Sequence, residues 1–186
     1  MAIDDVLLDS DDRMDKSVEA LRRELSSIRT GRASPGLIES LQVSYYGTPT
    51  PLSQMASISV PEARVLMVQV WDRSAIGDVE KAFLASDLGL TPNSDGEVIR
   101  ITLPVLTEER RKDLVKLVAR KTEEGHVAVR NIRRDANDAL KKMEKDGEIG
   151  QDDSHRAQEE VQKATDRHIG DMDSVKKDKE AEVLEV

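Results

Sequence analysis

The chain has 186 residues, a net charge of −9, no cysteine and 2% aromatic content. That length fits one ordinary domain or two small ones. The absence of cysteine excludes disulfides and thiolate chemistry and favours a reducing compartment. Few aromatics among abundant Ala, Leu, Val, Glu, Lys and Arg favour long helices joined by aliphatic seams. The start, MAIDDVLLDSDD, lacks the basic n-region and apolar run of a secretory signal. No stretch approaches the ~18 apolar residues of a membrane span. A cytoplasmic protein is expected.

Met14, Val18, Leu21, Leu25 and Ile28 recur at spacings of 4, 3, 4 and 3, and Ile3 and Leu7 extend the stripe less regularly. This is the pattern of an amphipathic helix. TGRASPG at 30–36 has two glycines and a proline, which end it. β-type runs follow at Leu41–Tyr46, Ser57–Val60, Val65–Trp71 and Val98–Leu103. Ser74–Ser86 reads as a helix with Ile76, Val79, Phe83 and Leu84 on one side, and DLGLTPNSDG at 87–96 as a turn-rich return. Tyr45, Tyr46, Trp71 and Phe83 all fall in this module, and most of them are expected in its core or turns. Pro104 closes it, and Thr107 offers an N-cap to the next helix, with Glu108 and Glu109 in its first turn.

In Leu106–Lys145, Val115, Val129, Ala136 and Met143 share one heptad position, and Val118, Ile132 and Ala139 share the position three later. Such a helix would be about 60 Å long. GEIGQDD supplies the next turn, Asp152 or Asp153 is the expected cap, and Val161, Thr165, His168, Met172 and Val175 repeat the 4, 3, 4, 3 spacing. Each stripe is too narrow to be stable alone, so the three helices form a bundle. The expected fold class is α+β. An elongated antiparallel three-helix bundle (residues 1–29 and 106–186) carries a small mixed α/β domain inserted at residues 30–105. The two crossings lie near 30–36 and 103–106, at Thr30, Gly31, Pro35, Gly36, Pro104 and Val105. Two adjacent short tethers permit rotation and limit translation, which makes them a hinge.

Charge is unevenly placed. Residues 105–145 hold 12 Lys and Arg against 8 Asp and Glu, whereas 146–186 hold 6 against 13. A positive rod on a negative body suits an oriented encounter with a polyanion. Within VAVRNIRRDAND, Arg130, Arg133 and Arg134 flank the seam, widened by Lys116, Arg120 and Lys141; Arg110, Arg111 and Lys112 form a second group at the helix start. The guanidinium fork matches phosphate oxygens. The basic segment contains no aromatic residue, so backbone and shape recognition of a folded nucleic acid fits better than base stacking. Other readings stand beside this one: a solvated face paired with carboxylates of the acidic last helix, a helical adaptor gripping proteins, or a duplex-DNA architectural protein.

His126, His155 and His168 are scattered; His168 falls on the last helix's seam, where packing is its expected role, and His126 flanks the basic patch. No metal-ligand spacing, phosphate-cradling Gly-rich loop or nucleophile–base set is present. A non-enzymatic protein without cofactor or metal is expected.

RTGRASPGL, YYGTPTPL, DLGLTPNSDG, and TEERRKDLVK followed by VAVRNIRRDANDALK resemble the ribosome recycling factor family in order and spacing, from about Met14 to Glu180. The resemblance implies an L-shaped, two-domain monomer with the outline of a tRNA. It implies a translation factor that binds RNA of the large ribosomal subunit in post-termination complexes. With elongation factor G and GTP, such a factor splits the ribosome, without a membrane or a small-molecule substrate. Carried over, the rRNA contacts are Arg111, Arg130 and Arg133, with Arg110 and Arg134 beside them. Arg29 and Arg32 are secondary contacts near the hinge. The insert is the part that elongation factor G pushes. One departure from the family pattern is Glu123-Glu124-Gly125-His126, where an interior Gly costs about 0.5–1 kcal/mol against Ala.

Overall fold

The computed structural model describes residues 2–185. In chain order its elements are α1 (Ile3–Ser26), β1 (Gln42–Tyr45), β2 (Thr48–Pro51), β3 (Ala56–Glu62), β4 (Val65–Val70), α2 (Ile76–Ala85), β5 (Pro92–Ser94), β6 (Ile99–Thr102), α3 (Glu108–Lys145) and α4 (Gln151–Leu184). The fold class is α+β. One compact unit takes the chain up to Arg29 together with Glu109–Glu185; the other takes Thr30–Glu108.

The first unit is a three-helix bundle. Arg13–Asp135 at 2.9 Å and Lys121–Glu24 at 3.4 Å pair α1 with α3 in opposite directions. Val6 shares a cluster with Val161, and Leu21 and Leu25 share one with Met172, so α1 and α4 run parallel. On α1 the buried positions are Val6, Ser10, Met14, Val18, Leu21 and Leu25. On α4 the sequence spacing holds through Val161, Thr165, His168 and Met172, with Val175 half-buried and Lys179 and Val183 continuing the stripe.

The α3 stripe differs from a strict heptad. Leu114 and Leu140 are buried, while Val115 and Ala139 are only half-buried beside them. An α-helix drifts ~20° per heptad against a 3.5-residue repeat, so over 38 residues the inward column moves to its neighbour. Buried hydroxyls satisfy themselves locally: Ser10, Thr122 and Thr165 donate to the carbonyls of Leu7, Val118 and Val161 at 2.8–2.9 Å. Thr107 directly precedes α3. The cap expected at Asp152 or Asp153 lies earlier, at Gly150, with no side-chain bond. Both aspartates sit in the first turn of α4, where the helix dipole favours them.

The second unit contains an antiparallel sheet of order β3-β4-β6-β5 and a separate β1–β2 hairpin. Alternation fixes which side faces in: Leu66, Val68 and Val70 of β4 and Ile99 and Ile101 of β6 are buried, whereas Gln69, Arg100 and Thr102 are exposed. α2 adds Ile76, Val79 and Phe83 to the same core. Leu84, expected beside Phe83, is 70% exposed, because adjacent helical residues point about 100° apart. Trp71 is 66% exposed in the bend that follows β4.

β2 and β5 were not expected from the sequence. Their TPTP and PNS segments carry prolines, which edge strands tolerate because one side makes no ladder bonds. The β1–β2 turn is Tyr46-Gly47, both left-handed at φ 49° and 77°, the backbone that a two-residue type I′ hairpin requires.

Candidate nucleic-acid interface

The rotational setting of α3 is fixed by its buried stripe. Once Leu114, Val118, Val129, Ile132, Leu140 and Met143 face inward, Lys112, Lys116, Arg120, Arg130, Arg134 and Lys141 are exposed, along the opposite side of the rod. The nearer arginines differ in their surroundings. Arg134 is exposed and has no ion pair among the described residues. Arg133 borders the seam, half-buried, and donates from Nη1 to Gln162 Oε1 of α4 at 3.2 Å. Arg130 is 44% exposed and donates from Nη1 to Glu123 Oε1 at 3.1 Å.

None of the three therefore meets a carboxylate of α4, the pairing that a simple solvated face would show. α4 supplies a neutral amide to Arg133, and the single carboxylate partner comes from α3 itself. Sequence reasoning missed both Glu123 and Gln162. Glu123 had a signal: seven residues before Arg130, it falls on the same line of the helix. Arg130 holds the Glu123 carboxyl below its ordinary range, with a smaller pull from His126.

Arg111 stands apart. It precedes Val118 by seven residues and so continues the inward column; it is half-buried, and its Nε is buried without a partner. About 28 Å of helix separates it from Arg130. Arg110, Arg29 and Arg32 are exposed. The basic residues thus form two groups, Arg130/Arg133/Arg134 at mid-helix and Arg110/Arg111 at its start.

His126 is nearly buried, its Nδ1 3.3 Å from Glu123 Oε2. Its Nε2 approaches Asp173 Oδ1 at 2.9 Å without hydrogen-bond alignment. His168 is fully buried, its ring nitrogens 2.6 Å from the Ala164 carbonyl and 2.7 Å from Asp15 Oδ1, and it locks α4 to α1 as a packing residue.

At the tethers, Thr30 is buried and Gly31 has φ 78°. Pro35 and Gly36 belong to a single 3-10 turn, Pro35–Leu37. The Ala33 N–H donates to the Ala63 carbonyl and the Leu103 N–H to the Arg64 carbonyl, each at 2.7 Å. One β3–β4 turn thus grips both tethers, leaving Pro104 and Val105 exposed beyond it. No helix among the described residues is long and apolar enough to cross a membrane.

The model of the family described as ribosome recycling factor matches residues 21–184. The chain belongs to the ribosome recycling factor family. Ribosome-recycling factors are close to it along their whole length. That of Geobacillus kaustophilus (strain HTA426) is 59% identical over 181 residues, covering 97% of this chain and 98% of the relative. That of Bacillus subtilis (strain 168) is 55% identical over 182 residues, covering 98% of each. A solution structure of the ribosome recycling factor superposes with a TM-score of 0.75 at 41% identity, covering 100% of this chain and 99% of that one. A second recycling factor structure belongs to models of the T. thermophilus factor and E. coli elongation factor G bound to the E. coli post-termination complex. It has a TM-score of 0.65 at 46% identity, covering 99% of this chain and 100% of that one.

Proposed function

We propose that this chain binds the large ribosomal subunit of post-termination complexes through rRNA phosphates and, with elongation factor G and GTP, splits the ribosome into subunits. The observation that carries the reading is the Arg130/Arg133/Arg134 group, held on a rigid helix and left uncompensated by the acidic α4. Exposed guanidinium groups on a rod without aromatics suit the phosphate backbone of folded RNA. Arg111 and Arg110 add a second contact along the same helix, and Arg29 and Arg32 add contacts near the hinge. The acidic remainder of the surface is repelled by RNA and restricts the approach to one orientation.

Separating subunits requires work, and the sequence has no phosphate-cradling loop from which to draw it. Binding free energy supplies part; elongation factor G supplies the rest through its own nucleotide cycle. A bundle anchored by arginines, joined through two short tethers to the β-rich unit, transmits that push as a lever. The protein acts as a monomer in the cytoplasm, without cofactor or small-molecule substrate.

Arg134→Glu tests the reading, because it removes an exposed side chain with no ion pair among the described residues. It should abolish sedimentation with large subunits while leaving the circular dichroism melt unchanged. Wild-type affinity should fall linearly on a log–log plot against salt, as expected for several phosphate contacts. Binding that survives the substitution would overturn the reading of this face as the RNA interface.

A further inference from the structure

Glu123 sits inside the basic face rather than beside it. One oxygen accepts from Arg130 at 3.1 Å, and the other lies 3.3 Å from the His126 ring. The side chains of Arg130 and Glu123 are 44% and 60% exposed, so water and solutes reach both. The neighbouring Glu124 faces Lys121 at 3.6 Å. Arg130 is thus drawn along the helix toward Glu123, across the turn that carries Val127, while Arg134 stays unpaired one turn on.

We propose that Glu123 is an internal stand-in for phosphate, a positioning residue that holds Arg130 in reserve and sets how strongly the α3 face grips RNA; this rests on the reading of that face as an RNA interface. Carboxylate and phosphate present similar paired oxygens to the same guanidinium fork, so they compete for it. A sparse or mobile polyanion gains little by displacing the carboxylate. An RNA surface that also engages Arg133 and Arg134 holds its phosphate at Arg130 long enough to exchange. The displaced carboxylate keeps His126 as a neighbour, so the exchange does not strand it. The consequence is selectivity for a fixed phosphate array over single-site polyanion binding.

The test measures dissociation constants for large ribosomal subunits and for an unrelated RNA duplex, with the full chain. Glu123→Gln should tighten binding by about two- to fivefold, the range expected for releasing one exposed ion pair, with the larger gain on the unrelated duplex. Glu123→Asp keeps the charge but shortens the reach to Arg130, and it should also tighten binding. Both gains should vanish in an Arg130→Gln background, and Glu124→Gln should not reproduce them. Melts should be nearly unchanged, since Glu123 is 60% exposed and its ion pair with Arg130 lies at the surface. No tightening, or the same gain without Arg130, or the same gain from Glu124→Gln, overturns the proposal. If instead Arg134→Glu leaves large-subunit binding intact, the RNA-interface reading itself fails, which is a separate outcome.

Discussion

Gly125 shows how two small effects can cancel at one residue. Within a helix, Gly costs about 1 kcal/mol relative to Ala. A Cβ at this position would lie 3.1 Å from Met172 Sδ, 3.3 Å from Met172 Cε and 3.6 Å from Leu21 Cδ2. Met172 is fully buried, so its thioether has little room to retreat, and overpacking costs of order 1–3 kcal/mol. Gly125→Ala should therefore change the unfolding free energy by less than about 1 kcal/mol in urea melts. Met172→Ala should lose about 2–5 kcal/mol. Adding Gly125→Ala to that variant should recover about 1 kcal/mol, since the obstruction is then gone. The sequence flagged Gly125 as a helix weakness; only the packing shows that the gap is filled by a neighbour's side chain. α3 runs unbroken through it.

At the element scale, Asp72 caps the 3-10 turn Arg73–Ala75 that leads into α2. Its carboxylate accepts from the Ser74 N–H at 3.0 Å, the Ser74 hydroxyl at 2.6 Å and the Tyr45 hydroxyl at 2.8 Å. Ser74 foremost, then Tyr45, holds the Asp72 carboxyl below its ordinary range. A depressed folded-state value means that the stabilisation is complete above the ordinary carboxylate range, near pH 4, and is lost as pH falls through the folded value. The β-rich unit should melt earlier as pH drops below about 4. Asp72→Asn should flatten that dependence, read by the fluorescence of Trp71, the only tryptophan. The helices and the β4 and β6 strands of this chain are legible in its residues, because burial on one face imposes a period. β2 and β5 are not, because edge strands with prolines carry no such period.

At the scale of the whole molecule, the proposed lever depends on how the chain turns at its tethers. Gly31, at φ 78°, adopts a backbone that costs an L-residue about 1–2 kcal/mol. Gly31→Val should leave large-subunit binding within about twofold, a shift under 0.5 kcal/mol. It should slow subunit splitting by elongation factor G and GTP, read by sedimentation of the released subunits. Loss of binding instead would mean that the tether shapes the proposed RNA-binding face itself. By itself, the sequence determined three seams and with them the outward direction of Arg130 and Arg134, because a helix whose buried stripe is known has its exposed line fixed too. Only the tertiary structure decided which rotamer brings Arg130 onto Glu123, that Arg133 meets Gln162 of α4, and that one β3–β4 turn clasps both tethers. Those facts depend on rotamers and on residues distant in the chain, which periodicity does not encode.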